Sequence, residues 1–249
     1  MSTLLYNAHA HLPDYQDQKL QSLNSTTQNS CEPRYTIING TLPADWSPVI
    51  EFTQKYSDTL PAIGLHPQNV EGAPENWKET FAQFLDDNPK CSIGEIGLDR
   101  RHKNSSFEKQ QDAFSWQLQQ ASERNRPVSI HCVKAIGMLM ETLRTYDLRP
   151  RGIHLHAYLG PVELISELAK MGAYFSFAAK QLESNNLKVR DRIRAIPVNR
   201  LLIETDKIYK NNSSELRNCY VAIAEIREIS FKQLANCVEE NFKRYFLTD

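Results

Sequence analysis

Eight short runs of apolar, β-branched and aromatic residues recur along the chain, and segments of helical character separate most of them. Runs of this length and composition are typical of buried strands. The predicted strands are 4–8, 35–39, 61–65, 91–96, 128–131, 152–156, 173–178 and 201–205. Their alternation with helices predicts a parallel sheet and constrains the fold more than any other feature of the sequence.

The helical segments are recognised by apolar residues at helical spacing, most clearly where Phe114, Leu118 and Ala121 fall on one face. Ser106 precedes this helix and is its predicted N-cap. The predicted helices are 46–56, 75–85, 106–124, 136–146, 162–171, 186–196, 215–229 and 231–246. Eight strands and their helices predict an α/β fold, a (β/α)8 TIM barrel that forms a single domain over residues 1–249, in preference to an open doubly wound sheet.

The composition of the chain limits how it can bind a charged substrate and in which cellular compartment it is expected. With 29 basic and 30 acidic residues the net charge is -1, so an anionic substrate must be held by local groups and not by a global field. Five scattered cysteines without a C-x-x-C pair favour a reducing, cytoplasmic location. We expect no membrane span and no signal peptide, and the polar stretch 21–33 is expected to be a surface loop.

Residues that bind metals or carry protons stand at the ends of most predicted strands. In such a barrel the active site is formed at the C-terminal ends of the strands. The strand-end residues are His9, His11, His66, Glu95, His131, His156 and Asp206. Six of the seven histidines lie at strand or strand-end positions, where scattered structural histidines would have no reason to collect.

His9 and His11 point to the same side of an extended strand and can bind one ion, although an isolated H-x-H also fits two surface histidines. Several imidazoles with carboxylates suit Zn, Mn, Fe or Ni. Glu95 is the natural bridge between two ions, which together lower the pKa of a water molecule and clamp phosphoryl oxygens. Asp206 is then expected to bind one ion and to orient or deprotonate the attacking water. Glu95 and Asp206 are therefore the predicted catalytic residues.

The motifs around these residues resemble the TatD family of metal-dependent deoxyribonucleases, within the amidohydrolase-like barrels. The resemblance spans nearly the whole chain and includes a helix at 107–121. Its motifs are NAHAHL at 7–12, GLHPQ at 64–68, GEIGLDR at 94–100, PVSIHC at 127–132, HAYLG at 156–160, ETD at 204–206 and ENFKRYF at 240–246.

The resemblance implies two divalent metal ions (Mg, Mn or Zn). One is held by His9, His11 and Asp206, the other by His131 and His156, and Glu95 bridges both. All six ligands are present, which implies an active enzyme. The implied activity is that of a 3'-5' exonuclease-like deoxyribonuclease whose partner is the single-stranded end of DNA.

Three further residues are predicted to bind substrate. His66, in GLHP, lies at the rim, where it can donate to substrate or support a ligand, or pack structurally beneath Pro67. Arg100 begins a basic cluster at 100–103 directly after Glu95, which offers a local phosphate-binding surface or a solvated charge cluster. Lys134 replaces the arginine that the family has near this position, and it can meet a phosphate or simply open a helix.

Other departures concern the surroundings of the site. The loop after Asp206 is shortened and lacks the proline and arginine typical of the family, so the wall that faces the substrate is expected to differ. Asn7 stands where the superfamily often has an acid. His154 competes with His156 for the ligand role, and alignment of HAYLG assigns that role to His156 and places His154 in the barrel interior. Cys132 is expected to pack on the opposite side of its strand.

Two other functions remain open at this point. One is an amidohydrolase or esterase that acts on a small carbonyl substrate with the same metal chemistry. Many such enzymes bridge their metals with a modified lysine on the fourth strand, so Glu95 favours the nuclease. The other is a non-catalytic metal-binding partner protein, which the shortened loop after Asp206 favours.

Overall fold

The computed structural model describes residues 3–12, 33–102, 104–149, 151–182, 186–209 and 213–248. Its eight strands are parallel and are ordered β1 to β8 in the sheet, with helices around the outside. The predicted (β/α)8 TIM barrel is therefore confirmed. The predicted surface loop at 21–33 lies outside the described residues except for its last residue.

The strands are almost entirely buried, because helices cover the outer face of the barrel and side chains fill its interior. They are β1 (Tyr6–Ala10), β2 (Tyr35–Gly40), β3 (Thr59–Ile63), β4 (Ser92–Asp99), β5 (Val128–Val133), β6 (Ile153–Leu155), β7 (Ala173–Phe177) and β8 (Leu201–Ile203).

Eight of the helices follow the apolar spacing of the sequence. The described helices are α1 (Pro43–Lys55), α2 (Trp77–Asp87), α3 (Phe107–Arg124), α4 (Ile136–Thr145), α5 (Ile165–Lys170), α6 (Ala179–Leu182), α7 (Leu187–Ala195), α8 (Ser213–Arg227) and α9 (Phe231–Phe242). The N-cap of α3 is confirmed, since Ser106 Oγ accepts from the Lys109 N–H at 3.4 Å. The short α6 was not predicted. Two of the predicted helices are α-helical over only part of their length. The segment predicted as 162–171 begins with the 3₁₀ turn Val162–Leu164, and the segment predicted as 231–246 ends in the π-helical turn Lys243–Leu247.

Strand β4 extends further than its apolar run, so that Glu95 lies inside the strand and not at its end. Beyond Glu95 the backbone keeps pairing with β5, where Gly97 is opposite His131. Gly97 has a φ of +145°, and a Cβ there would lie 1.9 Å from the His131 carbonyl oxygen. Only glycine permits this close approach, which brings the two strands together at the site.

The barrel closes between β1 and the segment that follows β8. The Asp206 N–H donates to the His9 carbonyl at 3.1 Å, and the Tyr209 N–H donates to the His11 carbonyl at 2.8 Å. His11 and Ile208 form a parallel bridge at the same place. The closure therefore sets Asp206 against the two histidines of the first strand.

The opposite end of the barrel is sealed by tyrosines of the C-terminal part of the chain. The Tyr245 hydroxyl accepts from the Val128 N–H at 2.8 Å and donates to the Val128 carbonyl at 2.7 Å. Tyr220 bonds the backbone of Tyr6 in the same way. Among the described residues no helix has the length and apolar character needed to cross a membrane. Within the described residues, the end of the barrel that carries the strand C-termini opens into a cavity.

Candidate metal centre

Four histidines converge in two pairs at the open end of the barrel. The Nε2 atoms of His9 and His11 are 3.2 Å apart. His131 Nδ1 and His156 Nε2 are 3.3 Å apart. Glu95 lies between the pairs, with each of its carboxylate oxygens facing one pair. Oε2 is 3.4 and 3.5 Å from the Nε2 atoms of His9 and His11, and Oε1 is 2.8 Å from the facing nitrogen of both His131 and His156.

Asp206 completes the first pair. Its Oδ1 is 3.6 Å from His11 Nε2 and 3.9 Å from His9 Nε2, and 40% of its side chain is exposed to the open cavity. The preceding Thr205 is fixed by Asn7, whose Oδ1 accepts the Thr205 N–H and whose amide donates to Thr205 Oγ1, both at 3.0 Å. Asn7 therefore holds the Asp206 segment in place from β1 and keeps a structural role at the site.

Three of the four histidines have an acceptor behind the nitrogen that faces away from the centre. His11 Nδ1 is 3.1 Å from the Asn39 carbonyl oxygen, and His131 Nε2 is 3.0 Å from Asp99 Oδ2. His156 Nδ1 faces Glu204 Oε1 at 3.4 Å, a charge contact and not a well-aligned hydrogen bond. Carbonyl and carboxylate oxygens only accept hydrogen bonds, so the outer nitrogen of each of these rings carries the proton. When the ring is neutral, its inner nitrogen therefore presents a lone pair to the centre.

The tautomer of His9 is set by a hydrogen-bonded chain through the barrel interior. The Ser176 hydroxyl donates to Glu204 and so can only accept from His154 Nε2, which is 2.6 Å from Ser176 Oγ. Burial lowers the pKa of His154, and its neutral ring therefore accepts at Nδ1 from the Ser129 hydroxyl at 3.3 Å. Ser129 Oγ is left to accept from His9 Nδ1 at 3.1 Å. His9 Nε2 then also presents a lone pair to the centre.

Inward lone pairs beside two carboxylates repel each other unless a cation or extra protons stand between them. Burial opposes charge on His131, but its hydrogen bonds to Asp99 and Glu95 raise its pKa. Burial likewise opposes charge on His156, and the Glu95 carboxylate raises its pKa well above the usual value. The metal-free cluster therefore retains protons on its histidines. A divalent ion replaces such protons, and the donor set fits one.

The other members of the cluster titrate in keeping with this arrangement. Burial would raise the pKa of Glu95, but the charge of His156 and the hydrogen bonds from His131 and His156 hold it well below its usual value. For Asp206 the hydrogen bond from His11 outweighs burial and lowers the pKa to about 2. Burial lowers the pKa of His9, with the charge of His156 adding to the effect. Both carboxylates are therefore ionised at neutral pH, as metal ligands must be.

Residues 6–247 match the family described as "TatD related DNase". The chain belongs to the TatD family. It is 28% identical over 253 residues to the "Uncharacterized metal-dependent hydrolase YabD" of Bacillus subtilis, covering 98% of this chain and 99% of that protein. It is 27% identical over 224 residues to the "3'-5' ssDNA/RNA exonuclease TatD" of Escherichia coli, covering 84% of this chain and 86% of that protein.

A solved structure agrees with the fold of this TatD-family chain. The TatD homolog YjjV of Escherichia coli superimposes with a TM-score of 0.89 at 23% sequence identity, and the match covers 100% of both chains. The family assignment and the donor set together identify the protein as a metal-dependent hydrolase of the TatD family. The six side chains that the TatD resemblance selects lie in one cluster, in groups whose ligand atoms are within 4.8 Å of one another.

Two acids that orient the histidines were not assigned a role from the sequence, although they lie in the GEIGLDR and ETD motifs. Asp99 is buried and accepts from His131 and from the Arg101 N–H at 2.7 Å, contacts that outweigh burial and lower its pKa. Glu204 is buried behind His156. The sequence signal that could have pointed to both is their position, since Asp99 ends the same strand as Glu95 and Glu204 stands two residues before Asp206.

His66 differs from the other histidines around Glu95. Its Nδ1 accepts the Gln68 N–H at 3.2 Å, so a neutral His66 carries its proton on Nε2, which lies 3.3 Å from Glu95 Oε1. Burial lowers the pKa of His66 and keeps the ring neutral. Although geometry groups His66 with Glu95 and His131, this tautomer makes it a hydrogen-bond donor to the site and not a ligand.

The structure places the three predicted substrate-binding residues, His66, Arg100 and Lys134, in different surroundings. A cavity of about 510 Å³ opens above the cluster, with His66, Arg101 and His102 in its wall. The guanidinium group of Arg100 instead packs over the Phe107 ring, 4.0 Å from its centre. Lys134 is exposed beside a second cavity. Within the shortened loop after Asp206, residues 207–209 run along β1 and residues 210–212 lie outside the described part of the chain.

Proposed function

We propose that the protein is a two-metal deoxyribonuclease that hydrolyses phosphodiester bonds at the 3' end of single-stranded DNA. The observation that carries the proposal is the position of Glu95, with one carboxylate oxygen toward each pair of histidines. A carboxylate placed in this way is suited to bridge two ions, the arrangement found in many phosphodiester-cleaving enzymes.

In this proposal His9, His11 and Asp206 hold one ion, His131 and His156 hold the other, and Glu95 holds both. The imidazole-rich set favours Zn or Mn over Mg, which prefers an all-oxygen shell. Bound ions of this kind lower the pKa of a water molecule and neutralise charge on phosphoryl oxygens.

The side chains around the cluster have distinct roles in the proposed reaction. Asp206 is ionised and partly exposed, so it accepts a hydrogen bond from the attacking water and orients it toward phosphorus. The neutral His66 presents an Nε2–H that can donate to a phosphate oxygen.

The charge distribution favours a phosphate over a neutral carbonyl substrate. Arg101 lines the cavity and is fixed through Asp99, which accepts from its backbone N–H at 2.7 Å and from its guanidinium group at 3.1 Å. A guanidinium held at the edge of a metal cluster is suited to bind a phosphate oxygen. The name of the Escherichia coli relative, a 3'-5' ssDNA/RNA exonuclease, supports the same choice. An open barrel end also admits a single-strand end more easily than a duplex.

The test uses protein stripped of metal and reloaded with Mg, Mn or Zn. It is offered labelled single-stranded DNA, a phosphodiester dye and a panel of amides and esters. We expect metal-dependent release of nucleotides from the 3' end and a loss of about 10²–10⁴-fold in kcat for Asp206→Asn. Asp147→Asn is the matched control, because Asp147 is paired with Arg149 at the other end of the barrel.

Two results would contradict the proposal. One is cleavage of amides or esters with no phosphodiester cleaved under any metal, which would favour a carbonyl hydrolase. The other is Asp206→Asn with the activity of the parent protein, which would remove the assigned mechanism. Metal content measured by mass spectrometry with and without Glu95→Ala tests the bridge separately, because this variant should retain fewer ions per chain.

The two neighbouring arginines provide a test of phosphate binding. Arg101→Gln removes a guanidinium group from the cavity wall, and we expect KM for single-stranded DNA to rise about tenfold, as the loss of one charged contact would produce. Arg100→Gln removes a group that packs over Phe107 and should leave KM unchanged. Equal effects of the two substitutions would argue against a specific phosphate contact by Arg101.

A further inference from the structure

A second cavity adjoins the metal cavity and has a different chemical character. Its volume is about 320 Å³, at the lower end of the range of roughly 300–1,000 Å³ that ligand pockets occupy. It lies at the C-terminal ends of β5 and β6 and extends toward α4. The apolar side chains in its wall include Ile130, Cys132, Ile136, Leu139, Leu155 and Leu159.

The two cavities share part of their walls. His156, a member of the metal cluster, and Arg101, beside it, line both. The two cavities therefore lie next to each other around His156 and Arg101. Lys134, which directly follows β5 and is exposed, also lines this cavity and adds a cation to its wall.

One wall of the second cavity, formed by residues 158–161, is held in place by contacts within the segment and with β7 and α7. The Tyr158 hydroxyl donates to the Pro161 carbonyl at 2.8 Å, and its ring packs on Phe175. Arg192 of α7 donates to the Leu159 and Gly160 carbonyls at 2.9 and 2.6 Å.

Gly160 is required in this wall, because a Cβ there would lie 2.5 Å from the Tyr158 hydroxyl. The backbone of this wall is fixed by these contacts. Leu159 is nevertheless 48% exposed. A large apolar side chain exposed on a rigid wall is a preformed contact surface for a flat apolar group.

Resting on the proposed function, we infer that this second cavity binds the nucleobase of the nucleotide whose phosphate lies at the metal cluster. Several observations support this occupant. The cavity is mostly apolar, shares His156 and Arg101 with the metal cavity, and has the cation Lys134 in its lining. The apolar wall offers few hydrogen bonds to base edges, so the contact favours any base over none and has little preference among bases.

The test compares substrates that differ only in the terminal base. Metal-loaded protein is given two single-stranded oligonucleotides, one ending in thymidine and one ending in an abasic residue. We expect kcat/KM to be about tenfold higher for the thymidine end, within the range that contacts to one base contribute. Leu159→Asn, a polar change of similar size at an exposed position, should bring the ratio of the two values close to one. Val162→Thr, at an apolar site with 36% exposure just beyond this wall, should leave the ratio unchanged.

A binding measurement separates this inference from the proposed function. Calorimetry on the same protein compares thymidine 5'-monophosphate with 2-deoxyribose 5-phosphate, and no turnover is needed. We expect the nucleotide to bind about tenfold more tightly in the parent protein and in Val162→Thr, and no more tightly in Leu159→Asn.

The outcomes are distinct. Oligonucleotide cleavage without a base preference, and equal affinity for the two phosphates, would overturn the base pocket and leave the nuclease proposal standing. Absence of any cleavage together with a nucleotide preference that depends on Leu159 would overturn the nuclease proposal and retain the pocket. Leu159-dependent cleavage of apolar esters, with no nucleotide preference, would overturn both.

Discussion

The hydrogen-bonded chain that ends at His9 makes a sharp prediction for Ser129→Ala. Ser129 Oγ joins His9 Nδ1 and His154 Nδ1, at 3.1 and 3.3 Å, and all three residues are buried. The substitution keeps the Cβ and removes one oxygen. His9 then loses the acceptor that holds its proton on Nδ1. It can place the proton on Nε2 instead, where Glu95 Oε2 lies 3.4 Å away. In that tautomer His9 has no lone pair for a metal.

The expected magnitude follows from the role of such partners in metal sites. Loss of a group that orients a ligand histidine weakens metal affinity about 10–100-fold, equivalent to about 1.4–2.7 kcal/mol. The weakening should be greatest at the site that contains His9. The site formed by His131 and His156 should lose less affinity, because Asp99 contacts His131 directly and Glu204 is separated from Ser129 by His154 and Ser176.

Calorimetric titration with Zn or Mn, with the two binding steps resolved, measures this difference. Nitrogen NMR of the imidazoles in the metal-free protein reports the tautomer of His9 directly. Thr36→Val is the matched control, because the Thr36 hydroxyl is buried and has no hydrogen-bond partner in the described part of the chain. First-site affinity within twofold of the parent protein, or equal weakening of both sites, would refute the reasoning.

Three other predictions follow from the same cluster. Asp99→Asn should weaken the second site about 10–100-fold with little effect on the first, in the same titration; a weakened first site would contradict it. Glu95→Gln should reduce the bound metal measured by mass spectrometry, because an amide offers one acceptor oxygen for two ions; full metal content would exclude a bridge. Because the pKa values of His131 and His156 are raised, metal binding at pH 7 should displace protons, and affinity should increase as pH rises through those values. Titration in two buffers of different ionisation enthalpy measures this release, and its absence would show that the histidines are already neutral.

The pKa directions also predict how the metal-free protein depends on pH. His131 and His156 have raised pKa values, so their contribution to stability is complete below about pH 6.5 and is lost as pH rises through the raised values. Glu95 and Asp206 have lowered values, so their contribution is present above about pH 4.5 and is lost as pH falls. Saturating metal should remove the loss at high pH, which thermal unfolding with and without metal can measure; an unchanged loss would contradict this account.

The sequence was sufficient for the barrel because strand burial and helix amphipathicity are local patterns. Apolar runs located all eight strands, and their order along the chain is their order in the sheet. Boundaries were less well determined. Strand β4 continues through GEIGLD, where glycine and acidic residues give no apolar signal, because pairing with β5 holds the backbone extended there.

The six residues that the sequence predicts as metal ligands lie together in the structure, since strand ends and TatD motifs place histidines and acids at one end of the barrel. The sequence did not show which of the neighbouring basic residues face the substrate cavity. Arg100 and Arg101 are neighbours in the chain, and only the contacts of Asp99 and Phe107 decide which guanidinium group faces the cavity. Within a strand, a shift of one residue reverses the direction of a side chain. In a loop that follows a strand, no such alternation fixes the direction of each side chain.

The sequence by itself thus determined the barrel and predicted which side chains gather at one of its ends, because both depend on residue type and spacing along the chain. Only the tertiary structure decided which nitrogen of each histidine faces the centre. That property depends on Ser129, His154, Ser176, Glu204 and Asp99, which lie on different strands and meet only when the barrel closes. Hydrogen bonds act over about 3 Å, so the partners that fix a proton are set by packing and not by sequence separation.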